Sequence, residues 1–104
     1  MELEKMQKVN EILQLCFEIN GFEQRQKEKT GEKPTIFAWF SGHTTFLTVM
    51  VYEKGYSNNV EVDKDIIIPL CGVYENIKAR LDYCIQYLNK LKARESDERL
   101  QQAV

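Results

Sequence analysis

No apolar run in this chain approaches the roughly 20 residues needed to cross a bilayer, so a membrane partner is not expected. The opening stretch MELEKMQKVNEILQ also lacks the apolar core and small-residue cleavage site of a secretory signal. A cytoplasmic protein is expected, in its own cell or in a host's. The cysteines Cys16, Cys71 and Cys84 form no CxxC pair and are odd in number, which indicates neither a disulfide framework nor a closed zinc site. Each falls in or beside a helical apolar stripe, where a reduced thiol behaves as a small hydrophobe. Positive charge is not in excess. With 14 Lys and Arg against 16 Asp and Glu the formal net charge is -2, which argues against bulk attraction to nucleic acid or anionic lipid.

Groups able to do chemistry are equally scarce. His43 is the one imidazole, and it sits in a predicted hairpin turn. Ser41, Thr44 and Thr45 are near it, but no acid close by would orient the ring in a nucleophile-base-acid set. Glu61, Asp63 and Asp65 alternate onto one side of an extended segment, with Glu53 upstream. EVDKD has neither the glycine nor the distal glutamate of a calcium loop, so a solvated strand face is expected. No catalytic residue, metal ligand or cofactor is assigned, and the chain is read as a non-enzyme.

What the chain does have is a helix-period segment towards each end with strand-period segments between them, within 104 residues, the size of one domain. A first helix is predicted over residues 2–20. Met6, Val9, Leu13 and Cys16 form one row and Ile12, Leu15 and Ile19 another, an apolar face wide enough to touch both a sheet and a second helix. Gly21 can take the left-handed position after the helix, with Phe22 folding back on Phe17 as in a Schellman motif. Residues 23–34, EQRQKEKTGEKP, carry no apolar side chain beyond the closing proline and read as an exposed, mobile connector. The last helix is expected to begin near Pro69. Leu70, Tyr74, Ile77, Leu81, Cys84, Leu88 and Leu91 repeat at 4-3-4-3-4-3, about 32 Å of helix, favoured as packing against the first helix. Residues 95–104 lose the pattern and read as a frayed tail, leaving one domain over 1–94.

Between the helices stand TIFAWF and TFLTVMVY, an apolar hairpin over residues 35–52. A two-residue loop with Gly42 first fits a type II′ turn, and a four-residue loop of Ser41, Gly42, His43 and Thr44 gives the same pairing. Phe40 then opposes Thr45, Ala38 opposes Leu47 and Ile36 opposes Val49. Ile36, Ala38, Phe40, Leu47, Val49 and Val51 share one face. Phe37, Trp39, Phe46, Thr48, Met50 and Tyr52 share the other. A third strand lies between Asn59 and Ile68, with a bulge at Asp63-Lys64-Asp65 in keeping with the interrupted pattern. The fold is thus expected to be α+β, in the order α-β-β-β-α: a three-stranded antiparallel meander with both helices on its aliphatic face.

One helix layer cannot cover two apolar faces. The aromatic face of Phe37, Trp39, Phe46, Thr48, Met50 and Tyr52 is therefore the candidate interaction surface, and a homodimer through it is expected. The alternative is a single-stranded nucleic-acid binder that stacks bases on those rings. The basic outer side of the last helix, Lys78, Arg80, Lys90, Lys92 and Arg94, is the feature in its favour. A small-ligand groove is the third reading.

Phe40-Ser41-Gly42-His43 followed by a strand and Tyr52-Glu53-Lys54-Gly55 between two helices resembles small phage or prophage proteins of Gram-positive bacteria. The likeness covers residues 36–55. It implies an accessory protein that binds an unknown host or phage protein in a bacterial cytoplasm, and it carries over no activity.

Overall fold

Helix-period segments flank a run of strand-period segments, and the element boundaries fall where the apolar spacing changes. The computed structural model describes residues 2–103, with the side chains of residues 2–94. Its elements are α1 (Glu2–Asn20), α2 (Lys27–Thr30), β1 (Thr35–Ser41), β2 (Phe46–Tyr52), β3 (Lys64–Pro69) and α3 (Tyr74–Ala103). The strands form one antiparallel sheet in the order β1-β2-β3. This is the α+β arrangement expected, with α2 added as a single turn inside the connector. The expected frayed tail, 95–104, falls on residues whose side chains lie outside those described.

Both long helices pack on the aliphatic face but leave its outer edge open: Ala38 and Phe40, expected beneath them, are exposed. Ile12, Leu15, Cys16 and Ile19 of α1 and Ile77, Leu81, Cys84, Leu88 and Leu91 of α3 close over Ile36, Leu47, Val49, Val51 and Ile68. Burying side chains of this size contributes about 1.5–3 kcal/mol each before chain entropy is counted. The heptad stripe of α3 is therefore an intrachain seam. Lys8–Asp82 at 2.5 Å, Lys92–Glu18 and Lys78–Glu4 tie the two helices along their rims. Only part of α1's wide face is used, because one arc of a helix reaches the sheet and α3 together. Met6, expected in the core, is exposed, and Leu13 is half-buried.

Three local expectations are corrected. The hairpin register lies two residues further along, with Ile36 opposite Val51, Ala38 opposite Val49 and Phe40 opposite Leu47. The turn is the cause. It occupies residues 42–45, closes with Thr45 N–H donating to the Ser41 carbonyl at 2.7 Å, and places Thr45 rather than Gly42 at positive φ, 58°. Because side chains alternate with period two, a slip of two leaves both faces as expected. Second, Pro69 does not open the last helix. It ends β3 opposite Phe46, and residues 70–73, with Gly72 at φ 128°, make the turn into α3. Third, Cys71 is exposed in that turn instead of lying beside an apolar stripe.

Other signals are met. Gly21, at φ 67°, donates its N–H to the Phe17 carbonyl at 2.8 Å, and the Phe22 ring stacks on Phe17 at 5.9 Å. This is the single-bond left-handed cap, not the full Schellman pair. At the start of β3, Asp63 N–H donates to the Val51 carbonyl at 2.9 Å while Lys64 is Val51's register partner. Two residues thus face one, the arrangement of a β-bulge.

Candidate functional site

The sheet face turned away from the helices carries three rows of side chains. Phe37, Met50 and Asp65 form the first, Trp39, Thr48 and Ile67 the second, and Ser41, Phe46 and Pro69 the third. The alternation of the strands puts them there, and cross-strand register lines them up. All six residues of the expected aromatic face lie on this side. They do not share one environment.

The Phe37 end is covered by the chain itself. Tyr56, from the loop between β2 and β3, packs its ring 4.9 Å from Phe37 and edge-on to Tyr52 at 5.1 Å, while Phe37 and Tyr52 are 5.5 Å apart. The connector clamps that loop. Lys27 N–H, at the start of α2, donates to the Tyr56 carbonyl at 2.7 Å. Arg25 Nη1 donates to the Pro34 carbonyl at 2.5 Å. Gly55 sits at φ 99°, and a Cβ there would come within 2.9 Å of the Gly31 carbonyl oxygen. Only glycine allows that approach. The polar connector is therefore fastened at several points despite its lack of apolar residues. Tyr52 is buried and Phe37 is half-buried, so both are removed from the available surface.

The Trp39 end is open. Trp39, Phe46 and Ile67 remain 48%, 41% and 44% exposed around a buried Thr48. Ile67 is the residue that sequence reasoning missed. The signal was present in Ile66-Ile67-Ile68, whose middle member must face away from the other two, but the register of β3 could not be read. Among the strand residues of this face the one charge is Asp65, which is negative.

The remaining candidates are accounted for locally. His43 is exposed in the turn. Of the acidic residues after β2, Glu53 and Asp63 are engaged, while Glu61 and Asp65 are exposed, Asp65 on the open strand face as expected. Tyr87 O–H and Arg94 donate to the Glu53 carboxylate, and Asp63 accepts the Glu53 N–H at 2.7 Å. The Tyr87 hydrogen bond, followed by Arg94, holds the Glu53 carboxyl below the usual carboxylate range. Burial, reinforced by Glu53, pushes the Tyr87 hydroxyl up. Lys64 lies over the Tyr83 and Tyr87 rings at 5.8 and 5.7 Å. Among the described residues, no group of three or more His, Cys, Asp or Glu could hold a metal ion, and no helix is long and apolar enough to cross a membrane.

Four of the five basic residues on the outer side of α3 are likewise engaged. Lys78 pairs with Glu4, Lys92 with Glu18 and Arg94 with Glu53, while Arg80 Nη1 donates to the Ile67 carbonyl at 3.1 Å. Few of these cations are left to track a phosphate backbone. No protein-family model, no curated protein and no solved structure matches the chain.

Proposed function

We propose that this protein acts by binding other protein chains and not by catalysis, and that its first partner is a second copy of itself, brought against the Trp39 end of the sheet. The observation that carries this is the contrast within one sheet face. The chain spends Tyr56 and a clamped connector on covering Phe37 and Tyr52, yet leaves Trp39, Phe46 and Ile67 side by side in solvent. Adjacent exposed apolar side chains of this size favour an interface. The hairpin's likeness to phage and prophage proteins supports an accessory role in a bacterial cytoplasm, with an eventual host or phage protein as a further partner. Three free cysteines suit that reducing setting.

Emission from Trp39, the only tryptophan, tests this directly. It is expected to shift to the red on dilution, as dissociation exposes the indole to water, and to be indifferent to single-stranded oligonucleotides. Quenching by an oligonucleotide that weakens as salt is raised would instead support base stacking.

A further inference from the structure

The two edges of the sheet are defended unequally. β3 carries Lys64 and Asp65, ends in Pro69, and has its Ile67 carbonyl capped by Arg80. Charges, proline and side-chain cover are the devices that keep an edge from pairing with another chain. β1 reads TIFAWFS and has no charge, no proline and no bulge. Its outward-pointing backbone groups can be identified. Leu70 N–H donates to the Thr45 carbonyl, which puts Thr45, Leu47, Val49 and Val51 in the pairs that bond to β3. The alternate residues Phe46, Thr48, Met50 and Tyr52 must then bond to Ser41, Trp39, Phe37 and Thr35. Ile36, Ala38 and Phe40 are left pointing away from the sheet. Asn20 holds both groups of Ile36. Among the described residues, no hydrogen bond reaches the N–H or C=O of Ala38 or Phe40.

We infer that β1 pairs edge to edge, antiparallel, with β1 of a second copy, about a twofold axis at Trp39. The inference rests on the self-association proposed above and narrows it to Trp39 and the β1 edge; Phe46 and Ile67 stay on the open face of the paired sheet. In this register Ala38 of each copy opposes Phe40 of the other. Four N–H···O bonds form, and they use the four groups each edge has free. Moving the axis to Ala38 would set Ile36 against Phe40 and require Asn20 to release it, so Asn20 selects the register. Trp39 then meets Trp39 in a non-hydrogen-bonded pair, the closer of the two kinds, where cross-strand aromatics interact best.

The helix layer meets on the same axis. α1 runs opposite to β1, with Asn20 at Ile36 and Lys5 reaching Leu70 at the turn end of the sheet. Trp39 lies three residues beyond Ile36, roughly 10 Å along the strand. That distance is about seven residues back along α1, at Leu13. On the flank of α1 away from α3, Leu3, Met6, Asn10, Leu13 and Phe17 recur at 3-4-3-4. Leu3, Met6 and Phe17 are more than half exposed, as is Phe40 on the helix side of β1. The twofold sets Leu13 against Leu13, with Phe17 near Asn10 of the second helix and Phe40 beneath that helix. Met6, Phe17, Trp39 and Phe40 together offer roughly 400 Å² per copy, using typical areas for side chains of this size. The backbone strip and the rest of the α1 flank extend this toward the roughly 800 Å² per partner of a stable pair. The product is a six-stranded sheet whose open face carries both Trp39 side chains at its centre.

Amide hydrogen exchange, resolved by residue with NMR at micromolar and millimolar concentration, reads this register. The Ala38 and Phe40 amides are expected to slow by about tenfold or more at the higher concentration. Those of Ile36, bonded to Asn20, and of Phe37 and Trp39, facing β2, should not change. Ala38→Pro removes an N–H that no intrachain bond uses, and Leu13→Lys puts a charge on the axis. Each should give a monomer with unaltered secondary structure, while Phe46→Lys, away from the edge, should leave the dimer intact. A dimer in which Ala38 and Phe40 exchange equally at both concentrations, or one that survives Leu13→Lys and dissociates with Phe46→Lys, overturns edge pairing and leaves self-association standing. A wild-type chain that is monomeric at millimolar concentration overturns both.

Discussion

Asn20 grips Ile36 from both sides of its peptide: the Asn20 Nδ2 donates to the Ile36 carbonyl at 2.8 Å, and the Ile36 N–H donates to Asn20 Oδ1 at 2.9 Å. One side-chain amide stands where the backbone of a neighbouring strand would stand. The last residue of α1 thereby fastens the helix to the sheet and ends the open part of the β1 edge.

Asn20→Ala should leave the Ile36 groups without these partners, half-shielded beneath the end of α1. The expected cost is about 1–3 kcal/mol, read as a lower urea midpoint with an unchanged slope. An unaltered midpoint would mean that water replaces the amide fully.

Thr45 holds φ at 58°, where a β-branched residue is strained. Asparagine tolerates that region and keeps the backbone N–H and C=O that bond Ser41 and Leu70. Thr45→Asn is expected to stabilise the fold by about 1 kcal/mol, a rise of roughly 4 °C or more in Tm. Scanning calorimetry checks this, and a fall in Tm would show that the Thr45 side chain supplies more than the strain costs.

The order of elements was legible because period-two and period-3.6 patterns do not overlap here, and the division of the hairpin into two faces survived because its register slipped by an even number. The slip itself was not legible. Gly42 is the residue a turn usually places at positive φ, and nothing local reveals that Thr45 takes that role. Pro69 read as a helix start because proline is favoured there. At position 69 its missing N–H would have pointed away from β2, so the edge strand accepts it at no loss. The candidate site was half legible. Trp39 and Phe46 could be placed by alternation, but the covering of Phe37 and Tyr52 by Tyr56 depends on Gly55 and a backbone bond from Lys27, long-range contacts that leave no periodic trace.

Burial pushes the Cys16 thiol up to about 11 and the Cys84 thiol up to about 12, while Cys71 is exposed. Titration with a thiol reagent at mildly alkaline pH should therefore count one reactive cysteine in the native protein and three after unfolding. Cys71→Ser should abolish the native reaction. Rapid labelling of Cys16 or Cys84 would indicate frequent opening between α1 and α3.

The Glu53 carboxyl is held down by Tyr87 and then Arg94, and the Glu18 carboxyl by Lys92 and then Gln14. A carboxyl with a lowered folded pKa binds fewer protons in the native state, so its contribution is present above the unfolded value and is lost as pH falls through the folded one. Stability should thus be flat from neutral pH down to the ordinary carboxylate value of 4.5 and decline below it. Glu53→Gln should shallow that decline and cost about 1 kcal/mol or less at neutral pH. A variant with the wild-type acid limb would remove Glu53 from the account.

Sedimentation equilibrium of the wild type beside Trp39→Lys, over a range from low to high micromolar, bears most directly on the central claim. Self-association at the Trp39 end predicts that the wild type climbs toward twice the chain mass while the variant stays at one, with the same helix content by circular dichroism. A wild type that remains at one chain mass throughout, or a variant that dimerises equally well, would contradict it.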